Sequence, residues 1–230
     1  MKNRYYVILI TILTVLSGLT GCSHKEQTSQ TVSKVSVTPA PSKITPLSAY
    51  KSVLQDESPF FCVDSGKDLY ISQINEAVSS DSSVQAKVSK FTVVDLENDN
   101  IPEVILQLTV NENEYFGFEV LSYKDGVVYG YTLWYRTFMD LKEDGTFSFS
   151  GGASDYGFGS ITFTDKGYTI DKITYCEATY NSDNNLDISY FVNHKKATEE
   201  EFLSAIAEQN DKTHPTWNDF TTENISGLTL

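Results

Sequence analysis

The chain has 230 residues, 40% hydrophobic and 13% aromatic, enough for one domain of ordinary size with extra segments beside it. Its formal net charge is -14, from 17 Lys and Arg against 31 Asp and Glu. So acidic a surface repels nucleic acid and anionic lipid headgroups while gathering divalent cations, so nucleic-acid binding is excluded.

Lys2 and Arg4 precede a short apolar run from Tyr5 to Leu16. This is the arrangement of a secretory signal, too short and wrongly flanked for a membrane span. The run ends in Leu19-Thr20-Gly21-Cys22, which resembles a bacterial lipobox. The resemblance implies cleavage before Cys22 and a diacylglycerol on its sulfur, hence an extracytoplasmic protein anchored to the cell membrane by lipid. Losing Lys2 and Arg4 with residues 1–21 would leave 15 bases against 31 acids, a charge of -16. Residues 22–46 carry the lipidated Cys22 and are rich in Ser, Thr, Gln, Lys and Pro, with no Phe, Tyr or Trp. Such a segment buries too little apolar area to offset its ordering entropy and reads as a disordered tether. Residues 47–230 remain as a single β-rich globular domain.

The domain opens with Leu47, Tyr50 and Leu54, a helical stripe after Pro46. Asp64-Ser-Gly66 breaks the chain, and 68–78 reads as helix or irregular structure. From Phe91 the period changes to 2. Val104, Leu106, Leu108 and Val110 share one face, with Gln107 and Thr109 on the other. Asp125-Gly126 between two apolar runs signals a hairpin. Further strands are expected at 146–149, 161–163, 168–170, 172–180 and 186–193, joined by turns of two to five residues. Such short turns make neighbouring strands antiparallel. Thr198 and Glu201 form a capping box for a helix with Phe202, Leu203, Ile206 and Ala207 as its apolar stripe. Trp217 and Phe220 in the tail pack back on the sheet. The expected class is α+β, mainly an antiparallel β meander of seven or eight strands with short flanking helices.

The densest chemistry lies between two apolar runs, in Asp95-Leu-Glu-Asn-Asp-Asn-Ile-Pro-Glu-Val104. Side-chain oxygens fall on alternate residues at Asp95, Glu97 and Asp99, and the Ile101 carbonyl and Glu103 continue the series. Hard cations such as calcium take six to eight oxygens, which a tight loop of this kind supplies. The segment resembles the Asp-x-Asp-x-Asp-Gly calcium loop of FG-GAP (integrin-type) repeats. A related form occurs in surface lipoproteins of low-GC Gram-positive bacteria. Here Glu97 replaces Asp, and Asn98 and Asn100 replace Gly. Asn is the residue after Gly that best tolerates positive φ, so the turn stays feasible. Leu106 stands where an EF-hand has its closing Glu. The acidic loop occurs once and no repeat is visible, so a propeller is not expected.

Other motifs are weaker. Cys62 and Cys176 are an even pair after lipidation, which permits a disulfide or two buried thiols. His24, His194 and His214 have no Cys or His at ligand spacing, so a zinc site is not expected. The glycine-rich 151–160 lacks Lys and reads as a bulged turn between strands. No nucleophile elbow is present. Tyr129 and Tyr131 share a strand face while Trp134 points oppositely. They form either core packing or an exposed platform for sugars or a protein.

These observations lead to a lipid-anchored cell-surface module with a calcium loop, monomeric and without catalytic residues. Its partners are the membrane, through the lipid, and a surface carbohydrate or protein. An adhesin using Tyr129, Tyr131 and Trp134 is one alternative. An extracytoplasmic hydrolase with a carboxylate pair is another.

Overall fold

The computed structural model describes residues 44–230. Cys22, the signal sequence and nearly all of the tether lie outside the described residues. Helix α1 (Pro46–Leu54) starts where Pro46 suggested, with Thr45 as its N-cap accepting a hydrogen bond from Ser48 N at 3.2 Å. Strands β1 (Phe60–Cys62) and β2 (Lys67–Leu69) follow, then a 3-10 turn (Ile71–Gln73) and the short α2 (Asn75–Val78). The next four strands are β3 (Ala86–Val94), β4 (Glu103–Val110), β5 (Asn113–Lys124) and β6 (Val127–Trp134). After a 3-10 turn (Tyr135–Thr137) come β7 (Phe147–Gly152), β8 (Asp155–Thr164), β9 (Gly167–Tyr180), β10 (Leu186–Val192) and β11 (Lys195–Ala197). Helix α3 (Glu199–Asn210), the two-residue β12 (Asn218–Asp219) and α4 (Thr222–Ser226) complete the chain.

The fold is α+β and mainly antiparallel. Its strands divide into two sheets. Sheet A has seven strands in the order β12-β3-β4-β5-β6-β1-β2, and sheet B five in the order β11-β10-β9-β8-β7. Two features depart from a plain meander. The stretch at 60–69 forms a β hairpin around Gly66 (φ 67°), and β1 joins β6 in parallel, pairing Phe61 with Tyr129. Three-residue strands carry too little alternation to stand out in a sequence. Segments 168–170 and 172–180 are one continuous strand, because a register shift near Gly159 absorbs an extra residue opposite it. The glycine-rich 151–160 is the end of β7, a tight turn and the start of β8.

β4 lies inside sheet A between β3 and β5, and it is buried on both faces. Val104, Leu106, Leu108 and Val110 face a core formed with Tyr50, Val53 and Leu54 of α1 and with Ile225 of α4. Ile105 faces the second core, where Val120, Tyr131 and Leu133 of sheet A meet Phe147, Ile161 and Phe163 of sheet B. Helices thus cover one side of sheet A and sheet B covers the other. α3 lies on sheet B through Phe202, whose ring is 5.5 Å from Tyr156 and 5.3 Å from Tyr190. Tyr156 has the opposite parity to Ile161 and Phe163 on β8, so α3 takes the face turned away from sheet A.

The α3 capping box is present, with Glu201 Oε2 accepting from Thr198 N at 2.8 Å. Its buried stripe is rotated from the expected one. Phe202 and Gln209 are buried and Ile206 is half-buried, while Leu203 and Ala207 are exposed. Gln209 is buried because its Nε2 donates to Thr146 Oγ1 at 2.8 Å. The tail packs back as expected, with Trp217 against Phe118 and Phe220 against Phe91.

One side chain inside sheet A runs against the apolar rule. Glu119 of β5 is fully buried; Thr132 Oγ1 donates to its Oε2 at 2.8 Å, and Oε1 has no partner among the described residues. Across the ladder, a Cβ on Gly130 would fall on Glu119 Oε1 and on the Phe60 ring, so glycine is what admits the carboxyl. Burial pushes the Glu119 carboxyl up to about 8, with the Asp64 charge adding to it. The folded state therefore holds this proton between its unfolded value near 4.5 and about 8. Its contribution to stability is complete below the lower value and lost as pH rises through the upper one. Glu119→Gln should remove this loss, of order 3–5 kcal/mol at most, and raise stability at pH 8.5 far more than at pH 5. Urea denaturation of both proteins at the two pH values measures it. Equal stability differences at the two values would show that the carboxyl stays ionised when folded.

Candidate functional site

The acidic segment is the turn between β3 and β4, and it is folded around its own carboxylates. Asp95 accepts from Asp99 N at 3.1 Å through Oδ1 and from Asn100 N at 2.9 Å through Oδ2. Asp99 Oδ1 in turn accepts from Ile101 N at 2.8 Å. Asn98 and Asn100 have φ of 56° and 67°, the left-handed values that glycine takes in the resembled pattern. The Asn-for-Gly departures thus leave the turn geometry intact.

Two longer acids tie the turn to the body of the domain. Glu97 Oε1 accepts from Phe163 N of β8 at 3.1 Å, linking the turn to sheet B. Glu103, the first residue of β4, is buried; its Oε2 accepts from Leu96 N at 3.0 Å and its Oε1 from Ser122 Oγ at 3.2 Å. The turn Asp144-Gly145 supports it from outside: Gly145 (φ 80°) packs so that a Cβ would lie 2.8 Å from Asp95 O. These tertiary neighbours are invisible in the local sequence.

Glu97, Asp99 and Ile101 line a cavity of about 730 Å³ together with Ser122, Lys124 and Asp125. Tyr131 and Phe163, with rings 4.6 Å apart, form its aromatic wall. The β5–β6 hairpin turn at Asp125 therefore shares the cavity with the acidic turn, although 26 positions separate Asp125 from Asp99. Burial raises the Glu97 carboxyl, and the charges of Asp99 and Asp95 raise it further. Burial likewise pushes Glu103 up to about 8, with Glu97 and Asp99 adding to it. The acids feel one another's charge at close quarters, a repulsion that a cation would relieve.

The donors fit a hard cation in kind, being carboxylates and a carbonyl gathered on one short turn. Their arrangement is less convergent than the spacing suggested. Among the described residues no three His, Cys, Asp or Glu side chains come together closely enough to hold a metal ion. Asp95 and Glu103 spend both oxygens on protein donors, whereas Glu97 and Asp99 each accept through one oxygen and keep the other.

The remaining sites are rearranged. Cys62 and Cys176 are both free and buried, Cys62 in the helix-facing core of sheet A and Cys176 on β9 of sheet B. The bridge that an even count permitted is absent, because Cys62 faces the helix side of sheet A while Cys176, paired with Tyr156, lies on the face of sheet B turned toward α3. The aromatic platform also dissolves. Tyr131 is 3% exposed and its hydroxyl donates to Thr164 O at 2.8 Å, since its strand face is the one that sheet B covers. Tyr129 is half-buried against Phe61 at 5.9 Å. Trp134 is 54% exposed and pairs instead with Phe116 at 4.8 Å.

Comparison of the chain with protein-family models, with curated proteins and with solved structures finds no match.

Asp95 serves the turn as an acceptor rather than as a free carboxylate. Asp95→Ala, measured by urea denaturation in excess EDTA, should cost about 1–3 kcal/mol, because Asp99 N and Asn100 N lose a charged acceptor. Asp99→Ala under the same conditions should cost clearly less, since it gives up one exposed turn bond. A metal-free Asp95→Ala protein as stable as wild type would show that the turn does not depend on this carboxylate.

Proposed function

We propose that the protein is a lipid-anchored, extracytoplasmic binding module whose β3–β4 turn takes one calcium ion. The observation that carries the reading is the turn itself: Asp95 closes it through Asp99 N and Asn100 N, Asn98 and Asn100 adopt the left-handed conformation, and Glu97, Asp99 and Ile101 open on one cavity. Glu97, Asp99 and the Ile101 carbonyl would hold the ion, with Asp95 and Glu103 contributing as their protein donors allow. The ion would supply charge neutralisation and rigidity at the end of β4 rather than reaction chemistry. A non-enzymatic role is favoured by the placement of Glu103 and Glu119, the two glutamates most strongly shifted. Both are buried within sheet A, where a substrate has no access. The anchoring half of the proposal rests on the Leu19-Thr20-Gly21-Cys22 sequence.

Calcium should raise the melting temperature, with a stabilisation of about 2.7 kcal/mol at a free concentration a hundredfold above Kd. The Glu97 departure points to the weak range of extracellular modules, of order 10⁻⁴–10⁻³ M. Asp99→Ala should abolish the calcium-dependent rise. Asp183→Ala, in the exposed β9–β10 turn, is the suitable control and should leave it intact. Asp125 is unsuitable because it lines the same cavity. Calorimetry without heat at millimolar calcium, together with an unmoved melting temperature, would reduce the loop to an acidic turn.

Cys22→Ala should move the protein from the membrane to the soluble fraction or stall its processing, since the resembled lipobox has no other thiol to acylate. Membrane partitioning of the processed variant equal to that of wild type would remove the lipid anchor from the proposal.

A further inference from the structure

A second concave corner lies on sheet B and involves none of the acidic turn. It is a cavity of about 190 Å³ whose lining includes Arg136, Phe149, Ser150, Asp155 and Lys172. Arg136 is the single arginine of residues 44–230. Its Nη2 donates to Ser150 Oγ at 2.8 Å, which aims the guanidinium, and it forms no ion pair among the described residues. Three lysines are already matched: Lys67 with Glu76, Lys142 with Asp140, and Lys212 with Asp144.

Lys172 completes the corner. Its Nζ lies 5.2 Å from the Phe149 ring centre and 5.6 Å from that of Tyr175, and Tyr175 stacks on Phe191 at 4.7 Å and 13°. Its one acid is Asp155, with Oδ1 3.4 Å away and both side chains close to half exposed. An ion pair so long and so wet is worth roughly 0–1 kcal/mol, so Lys172 is free to exchange it for another anion. In a chain with 31 acids and 17 bases, this corner brings two cations to one cavity, with Lys172 over the Phe149 ring that lines it.

Those features select a ligand. A planar guanidinium with unused donors matches the two oxygens of a carboxylate, and the ammonium adds a point charge beside it. Aromatic rings take the apolar face of a sugar ring, and a few converging polar groups orient it. The volume, below the roughly 300–1,000 Å³ of drug-sized sites, suits one ring rather than a long ligand. Nucleic acid needs a broad positive field that this acidic surface does not provide. We infer that the Arg136–Lys172 corner binds an acidic saccharide, its carboxylate between the two cations and its ring against Phe149.

The test is an NMR titration of the full chain with glucuronate, glucose and inorganic phosphate at one ionic strength. Glucuronate should shift the Arg136 Nε–H and Phe149 signals, with glucose and phosphate each about tenfold weaker. Arg136→Gln and Lys172→Gln should each weaken glucuronate by about tenfold. Asp155→Asn frees Lys172 and should tighten binding a few-fold, a gain that misfolding cannot mimic. Glucose as tight as glucuronate would overturn the inference, because the cations would then be idle. Phosphate as tight as glucuronate would overturn it too, because the site would be reading charge alone. Glucuronate binding unchanged in both cation variants would place the ligand elsewhere.

Discussion

The structure depends on one constraint: β4 is buried on both of its faces. Val104, Ile105, Leu106 and Leu108 are all fully buried, each worth about 1.5–3 kcal/mol relative to exposure. A strand so placed needs a helix layer on one side and a second sheet on the other. α1 and α4 supply the first, and β7 with β8 the second. The acidic turn enters this strand directly, so its position is set by a strand buried along nearly its whole length. Glu103 makes the connection. It is the first residue of β4, and its carboxyl reaches back to Leu96 N and across to Ser122. A mobile loop would have to give up conformational entropy to gather four acids, whereas this one is already closed.

Burying acids has a cost, and the molecule distributes it. Glu103 is compensated by two donors, and Glu119 by a single hydroxyl, with one oxygen left alone. Both carboxyls are held up near 8, which is how a protein avoids carrying an unpaired buried charge at neutral pH. Lys142 is the opposite case. Its side chain is 1% exposed, yet its ammonium meets Asp140 Oδ2 at 3.2 Å, Asn210 O at 3.1 Å and His214 Nε2 at 3.2 Å. Its three donors thus have three partners inside the fold. It ties the last turn of α3 and the segment around His214 to the chain ahead of β7.

The two candidate sites differ in how they meet the protein's overall charge. The acidic turn works with it, since the surrounding field attracts cations. The Arg136–Lys172 corner works against it, and the arginine has no carboxylate partner among the described residues. Sheet B joins them structurally: Phe163 N of β8 binds Glu97, and β9 carries Lys172.

The sequence by itself determined the elements with strong local signals. The β4 strand, the Asp125-Gly126 hairpin, the Thr198–Glu201 capping box and the turn of the acidic loop with its left-handed asparagines all follow from interactions within a few residues. Only the tertiary structure decided what those elements face. β1, three residues long, has no periodicity of its own and is fixed by pairing with β6. Tyr131 and Trp134 lie on one strand, yet the first is buried beneath sheet B and the second, at the end of the strand on the opposite face, is exposed. Cys62 and Cys176 are kept apart because one faces the helices over sheet A and the other faces α3 over sheet B. Arg136 and Lys172 share a cavity because two sheets bring distant segments together, and Asp99 and Asp125 because β4 pairs with β5 and sets the β3–β4 and β5–β6 turns at one end of sheet A. Local propensity carries no information about pairings across such separations, since they are set by which apolar faces must be covered.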